Sequence, residues 1–245
     1  MKPLYASFAA RPAPGIHENN AHAVMVIVPP VSDDCLIGLV AGRLGESSAD
    51  DLRDLPARRR HGHAASRLAL QRALRLAGPL EGSPSPWRSL AHSGRAGLAV
   101  VSTIPVGADL EPAARFDSTF AARVADDSEI CHVREAGLAG DYVPAAVWTA
   151  KEAALKATGR GLRVHPRNAR IVGRIEGGWR VHVTDRSFAD SDWDVATFGL
   201  SGWRIAIARP EGAGAVSIAW LGPSLPQLAP SADVRSAAPP TVATC

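Results

Sequence analysis

The chain has 245 residues, 46% hydrophobic and 21% charged, enough to bury a core as one large domain or two small ones, which excludes a disordered or fibrous protein. Its formal charge of +3 suits an anionic ligand or an acidic partner, and charge alone leaves nucleic acid open. No apolar run approaches the ~18–20 residues needed to cross a bilayer, and prolines break the opening MKPLYASFAARPAP before a signal-like stretch develops, so a soluble protein without membrane contact is expected. Cys35, Cys131 and Cys245 are odd in number and widely spaced, which suggests neither a disulfide framework nor a metal cluster and fits a reducing cytoplasm.

Residues 1–20, rich in Pro, Ala and polar side chains, read as a loose arm. The run AVMVIV (23–28) reads as a buried strand, and 36–40 as a second. A long helix follows from Asp50 and Asp51, through Pro56 as an N-terminal or kinking residue, to the Gly78-Pro79 stop, with Ala65, Leu68, Ala69, Ala73 and Leu76 at helical spacing. After a turn-rich loop (78–87), SLAHSG (89–94) reads as a further loop. GLAVVST and PVGADLE then read as a hairpin cornered at 103–105. Helical pattern covers 117–137 and 143–159, with Pro144 in a first turn where its missing N–H costs little. Short alternating runs, NARIVGR, WRVHVT, WDVATFG, WRIAIAR and AVSIAW, then predict an antiparallel sheet. Residues 223–245, rich in Pro, Ala and Ser, read as a disordered tail. The class is α+β, with a helix beside a small sheet in each half.

Asp109 and Glu111 in VGADLE are two apart on a predicted strand and point to one side of it. Paired carboxylates repel unless a cation lies between them, and a hard cation such as Mg²⁺ is the usual solution where phosphates are present. By itself the pair reads more readily as a solvated strand end with two surface acids. In WTAKEAALK (148–156), Glu152 and Lys156 are four apart on one helical face, with Lys151 on an adjoining face. A glutamate there can complete a metal's oxygen shell or act as a base, and lysines can neutralise phosphate charge. The plain alternative is a surface ion pair worth ~0.2–0.5 kcal/mol. Of 27 basic residues, only Lys2, Lys151 and Lys156 are lysine, so two of three cluster here. His92 and Ser93 offer an imidazole and a hydroxyl to an anion. The long helix carries Arg58, Arg59, Arg60, Arg67, Arg72 and Arg75, of which Arg60 and Arg67 fall on nearly the same side as a basic stripe or a solvated face.

In this order, RRRHGHAASR, SLAHS, VGADLE and WTAKEAALK resemble the 4′-phosphopantetheinyl transferases of the surfactin-synthetase and enterobactin-synthetase type, over roughly residues 50–208. The resemblance implies two similar α/β halves related by a pseudo-twofold axis, divided near Ile104 into 21–104 and 105–222, with coenzyme A in the cleft between them. It further implies Asp109, Glu111 and Glu152 as Mg²⁺ ligands, and Lys156 on the transferring phosphate with Lys151 as the next candidate. Arg60, Arg67, His92 and Ser93 become coenzyme A contacts, with Arg59 the register-dependent alternative to Arg60. Either Glu129 or Glu152 is the general base. The implied reaction is attack of a carrier-protein serine on the β-phosphate of coenzyme A with release of 3′,5′-ADP, by a monomer that binds no nucleic acid. Ala108 and Ala91 depart from the branched residue and the serine that the family often has there. The alternatives are a basic nucleic-acid-binding protein, disfavoured by a 5% aromatic content that does not interleave with the arginines, and an inactive coenzyme A-binding relative.

Overall fold

The computed structural model describes residues 4–8, 21–78, 86–135, 137–138, 140–185, 188–200, 202–213 and 216–221. In chain order it contains β1 (Leu4–Phe8), β2 (Ala21–Ile27), α1 (Asp33–Leu44), α2 (Glu46–Arg53), α3 (Ala57–Ala77), β3 (Trp87–Ser93), β4 (Ala96–Ser102) and β5 (Gly107–Pro112). There follow α4 (Ser118–Val124), α5 (Asp127–Glu135), α6 (Val143–Ala157), β6 (Ala169–Ile175), β7 (Gly178–Asp185), β8 (Phe188–Leu200), β9 (Trp203–Pro210) and β10 (Val216–Leu221). The mixture of helix and sheet is the α+β class expected. No helix among the described residues is long and apolar enough to cross a membrane.

The strands form two five-stranded sheets, ordered β1-β10-β2-β4-β3 and β5-β9-β8-β7-β6. Three apolar clusters stack them into layers. Ala69 and Ala73 of α3 pack on Val24, Ala99 and Val101 of the first sheet. That sheet's other face, through Ala23, Met25, Leu98 and Val100, meets Ala108, Leu110, Ile205 and Ile207 of the second. The second sheet in turn packs Val181, Val195, Ala206 and Ala208 against α6. Covered on both sides, β4 is buried at every residue, which is why it reads as a continuous apolar run. In α6 every residue but Trp148 and Lys156 is buried, so its alanines serve close approach on all sides.

Two glycines set that approach. A Cβ on Gly97 would lie 2.1 Å from the Ser66 backbone N of α3, and one on Gly107 would lie 1.9 Å from the Ala153 carbonyl O of α6. Each helix therefore lies directly on a strand's backbone.

Several expected elements differ. Residues 36–40 belong to α1, where Ser32 caps the N-terminus and Leu36 and Val40, four apart, are the buried positions, so the apolar spacing is helical. The long helix is two helices, broken before Pro56, which precedes the first turn of α3. Residues 117–137 likewise divide into α4 and α5, because the Asp126 side chain accepts the Glu129 N–H at 3.0 Å and starts a new helix. SLAHS is no loop. It is strand β3, a hairpin partner of β4 closed by Gly94 at φ 55°. No hairpin joins β4 to β5: they lie in different sheets, and β5 pairs with β9. β10 leaves the C-terminal sheet to run parallel to β2, so 216–221 belong with the first sheet, and 4–8 of the expected loose arm pair with β10. Cys35 is a free, exposed thiol. The remainder of the expected arm, most of the 78–87 loop and the tail 223–245 lie outside the described residues.

Gly107→Ala should destabilise the protein by at least ~1–3 kcal/mol in denaturant melts, because the added methyl meets backbone that cannot yield. Gly38→Ala, in α1 with nothing within 4 Å of the new Cβ, should instead stabilise it by ~0.5–1 kcal/mol.

Candidate active site at the seam of two edge strands

β3 and β5 are edge strands of their sheets, and they meet. The Ser89 hydroxyl accepts the Ala108 N–H at 2.8 Å, and four residues along β3 the Ser93 hydroxyl donates to Glu111 Oε2 at 2.8 Å. Both serines are buried. Strand alternation turns Ala108 and Leu110 to the inter-sheet core and leaves Asp109 and Glu111, with Gly107, facing α6.

Because Gly107 lets α6 lie so close, Glu152 and Lys156 arrive over those two carboxylates. Lys156 Nζ donates to Asp109 Oδ1 at 2.6 Å and to the Ala108 carbonyl at 3.1 Å. Arg115, on the turn after β5, donates to Glu111 Oε2 and, at 3.2 Å, to Ser93 Oγ. Asp109, Glu111 and Glu152 are all buried, and among the described residues Asp109 Oδ2 and Glu152 Oε1 have no hydrogen-bond partner. Burial first, then the neighbouring Asp109, pushes Glu152 up to about 7, with Glu111 adding to the rise and Lys156 opposing it. Burial also raises Glu111 against the bonds from Ser93 and Arg115. Among the described residues no three His, Cys, Asp or Glu side chains form a ready-made metal cage. Mg²⁺ needs none: it takes one or two carboxylates and completes its shell with phosphate oxygens and water, so three mutually repelling carboxylates with two unpartnered oxygens fit it.

On the α3 side, His92 and Ser93 point to opposite faces of β3. His92 sits at the surface beside Gly62, where a Cβ would come within 2.8 Å of its Nδ1. Partial burial, then Arg59 and Lys156, hold its imidazole below the usual range, against Asp109. His63, one turn beyond Arg59, is depressed by burial and then by Arg67, with which it shares a 3.4 Å hydrogen bond, and by His92 and Arg59. Arg59, His63, Arg67 and His92 thus form one cationic and imidazole cluster.

The structure separates the remaining expected residues from this site. Arg60 turns back to α1 and α2, donating to Asp33 at 2.6 Å, the Leu55 carbonyl at 2.9 Å and the Arg53 carbonyl at 3.0 Å, so Arg59 is the member near His92. Lys151 is fully buried on another face of α6. Its ammonium meets Glu129 Oε1 at 2.7 Å and the Val124 carbonyl at 2.7 Å. The same carboxylate accepts Asp126 N–H and Ile171 N–H, tying α5 to β6. Glu129 and Lys151 thus spend their polar atoms on each other and on backbone groups. Ser89, His63 and Arg115 were not singled out from the sequence. Reading SLAHS as a strand would have placed Ser89 and Ser93 on one face, and Arg115 follows Glu111 by four residues.

The family model of the 4′-phosphopantetheinyl transferase superfamily matches residues 105–208. That span holds Asp109, Glu111, Glu152, Lys156, Lys151 and Glu129. It ends short of β3 and α3, so His92, Ser93 and the arginines lie outside it. No curated protein matches the chain. The match supports a transferase of phosphopantetheine in general terms.

The raised Glu152 carboxyl binds a proton more tightly folded than at its ordinary 4.5, so its contribution to stability is full below pH ~4.5 and lost as pH rises through about 7. In EDTA, Glu152→Gln should therefore be more stable than wild type at pH 8, by on the order of 2–3 kcal/mol, with the difference shrinking toward pH 5 in denaturant melts. Lys151→Ala should cost ~3–5 kcal/mol by stranding the Glu129 carboxylate, and Lys151→Met with Glu129→Gln should recover much of it. A changed coenzyme A KM in a well-folded Lys151 variant would argue instead for phosphate contact.

Proposed function

We propose that the protein transfers 4′-phosphopantetheine from coenzyme A to a serine of an apo acyl or peptidyl carrier protein, with Mg²⁺ as cofactor, in the manner of the surfactin-synthetase and enterobactin-synthetase type. The observation that carries this reading is the convergence of Asp109, Glu111, Glu152 and Lys156 within the segment that matches the superfamily. Asp109, Glu111 and Glu152 would hold the Mg²⁺, which supplies charge neutralisation on the pyrophosphate when bound. The Arg59, His63, Arg67 and His92 cluster would bind a remote phosphate of coenzyme A.

The serine oxygen bonds to the β-phosphorus, the bond from that phosphorus to the bridging oxygen breaks, and the electron pair leaves with 3′,5′-ADP. Glu152, with one oxygen free of other bonds, is supported as the acceptor of the serine proton over Glu129, whose oxygens are taken by Lys151 and backbone N–H groups. Lys156, partly exposed and already beside Asp109, would stabilise charge developing on the transferring phosphoryl group.

Intact-mass analysis of an apo carrier protein incubated with coenzyme A and Mg²⁺ should show pantetheinylation that EDTA abolishes and Asp109→Ala eliminates. Lys156→Ala should lower kcat and kcat/KM together by ~10²-fold or more, with Lys156→Arg rescuing only in part. Thermal melts control for the lost bond to the Ala108 carbonyl. Unmodified carrier with the wild-type protein would refute the reading, and an unchanged kcat in Lys156→Ala would remove that lysine's role.

A further inference from the structure

Of the two cations hydrogen-bonded to the carboxylate cluster, Arg115 is the more exposed. Its side chain is 50% exposed while that of Glu111 is 11%, so the guanidinium approaches a buried carboxylate from the solvent side. It springs from the turn after β5, not from a strand or helix, and its Cζ also lies 5.2 Å from the Phe116 ring centroid. Beside it opens a cavity of about 390 Å³, lined by Arg115 itself with Phe116, Asp117, Phe120 and Arg123. Lys156 likewise has two acceptors, but it springs from a helix and is only 25% exposed. Arg204, the cross-strand neighbour of Glu111, is turned to the Tyr142 ring, 4.7 Å from its centroid, and gives Glu111 no hydrogen bond.

A carboxylate meant for a divalent cation is unstable without one when buried beside two others. We infer that Arg115 is a displaceable counter-ion: it neutralises Glu111 while no divalent cation is bound, and swings into the adjoining cavity when one binds. This rests on the reading of Asp109, Glu111 and Glu152 as cation ligands. Two cations that compete for one carboxylate lower each other's affinity by the same factor, so removing the resident one must tighten binding of the other. The Ser93 hydroxyl stays as the neutral donor that keeps Glu111 oriented through the exchange.

Calorimetric titration of the full-length protein with Mn²⁺ and with Mg²⁺, without coenzyme A, tests this. Arg115→Gln should bind either cation about five- to tenfold more tightly than wild type. Arg123→Gln, which removes an equal charge from the same cavity without touching Glu111, should change the affinity less than about twofold and so measures the general field. Equal affinities in wild type and Arg115→Gln, an equal gain in both variants, or weaker binding in Arg115→Gln would each overturn the exchange while leaving the cation site standing. No cation binding in any of the three proteins would overturn the site and the exchange together. Thermal melts establish that the variants are folded.

Discussion

The Ala108 peptide is the point on which the site hangs. Its N–H is taken by Ser89 from the first sheet and its carbonyl by Lys156 from α6, and the next residue is Asp109. As an edge strand, β5 presents backbone groups that must find partners outside its own sheet. The seam with β3 and the α6 ammonium provide them. The same lysine that satisfies a carbonyl also pairs with a carboxylate, so the fold's treatment of its own edge sets the reach of a charged group into the site.

The two lysines of α6 contrast the uses of buried charge. Lys151 is fully paired, its carboxylate partner fully bonded, and the pair binds α5 and β6 to the helix. Near Lys156 the accounts are left open: burial and the neighbouring carboxylates raise the proton affinity of Glu152 and Glu111, and among the described residues Asp109 Oδ2 and Glu152 Oε1 have no partner. Unfavourable electrostatics of three buried carboxylates concentrated in one place is the pattern of a functional site more than of a structural network.

Local pattern made part of this legible. Alternation in VGADLE and the four-residue spacing of Glu152 and Lys156 are short-range facts, and they placed four side chains on the correct faces. The long apolar run of β4 and the helix of α6 were equally plain. Pairings between distant segments were not: β10 beside β2, or β5 beside β9 and not β4, depend on which edges meet and leave no local trace. Short apolar stretches such as 36–40 fit either period until the cap at Ser32 decides. Long side chains escape face arguments altogether, since Arg60 shares a side with Arg67 yet reaches back to Asp33. The ~100° between Lys151 and Glu152 is legible, but that Lys151's face is fully buried depends on α5 and β6, which the helix spacing does not show.

Across the seam lie two charge sets of opposite sign. Arg59, His63, Arg67 and His92 stand on the α3 and β3 side, and Asp109, Glu111 and Glu152 on the β5 and α6 side. They are close enough to be felt by one another, since the His92 imidazole responds both to Arg59 and to the Lys156 and Asp109 pair. A ligand with a single anionic group has no need of both. One that carries a terminal phosphate and, some distance away, a pyrophosphate would use the cations directly and the carboxylates through a divalent cation. Coenzyme A has that distribution of charge. The two serine hydrogen bonds from β3 to β5 fix the spacing of the two sets, and under the proposed function that spacing would select the separation of the phosphates.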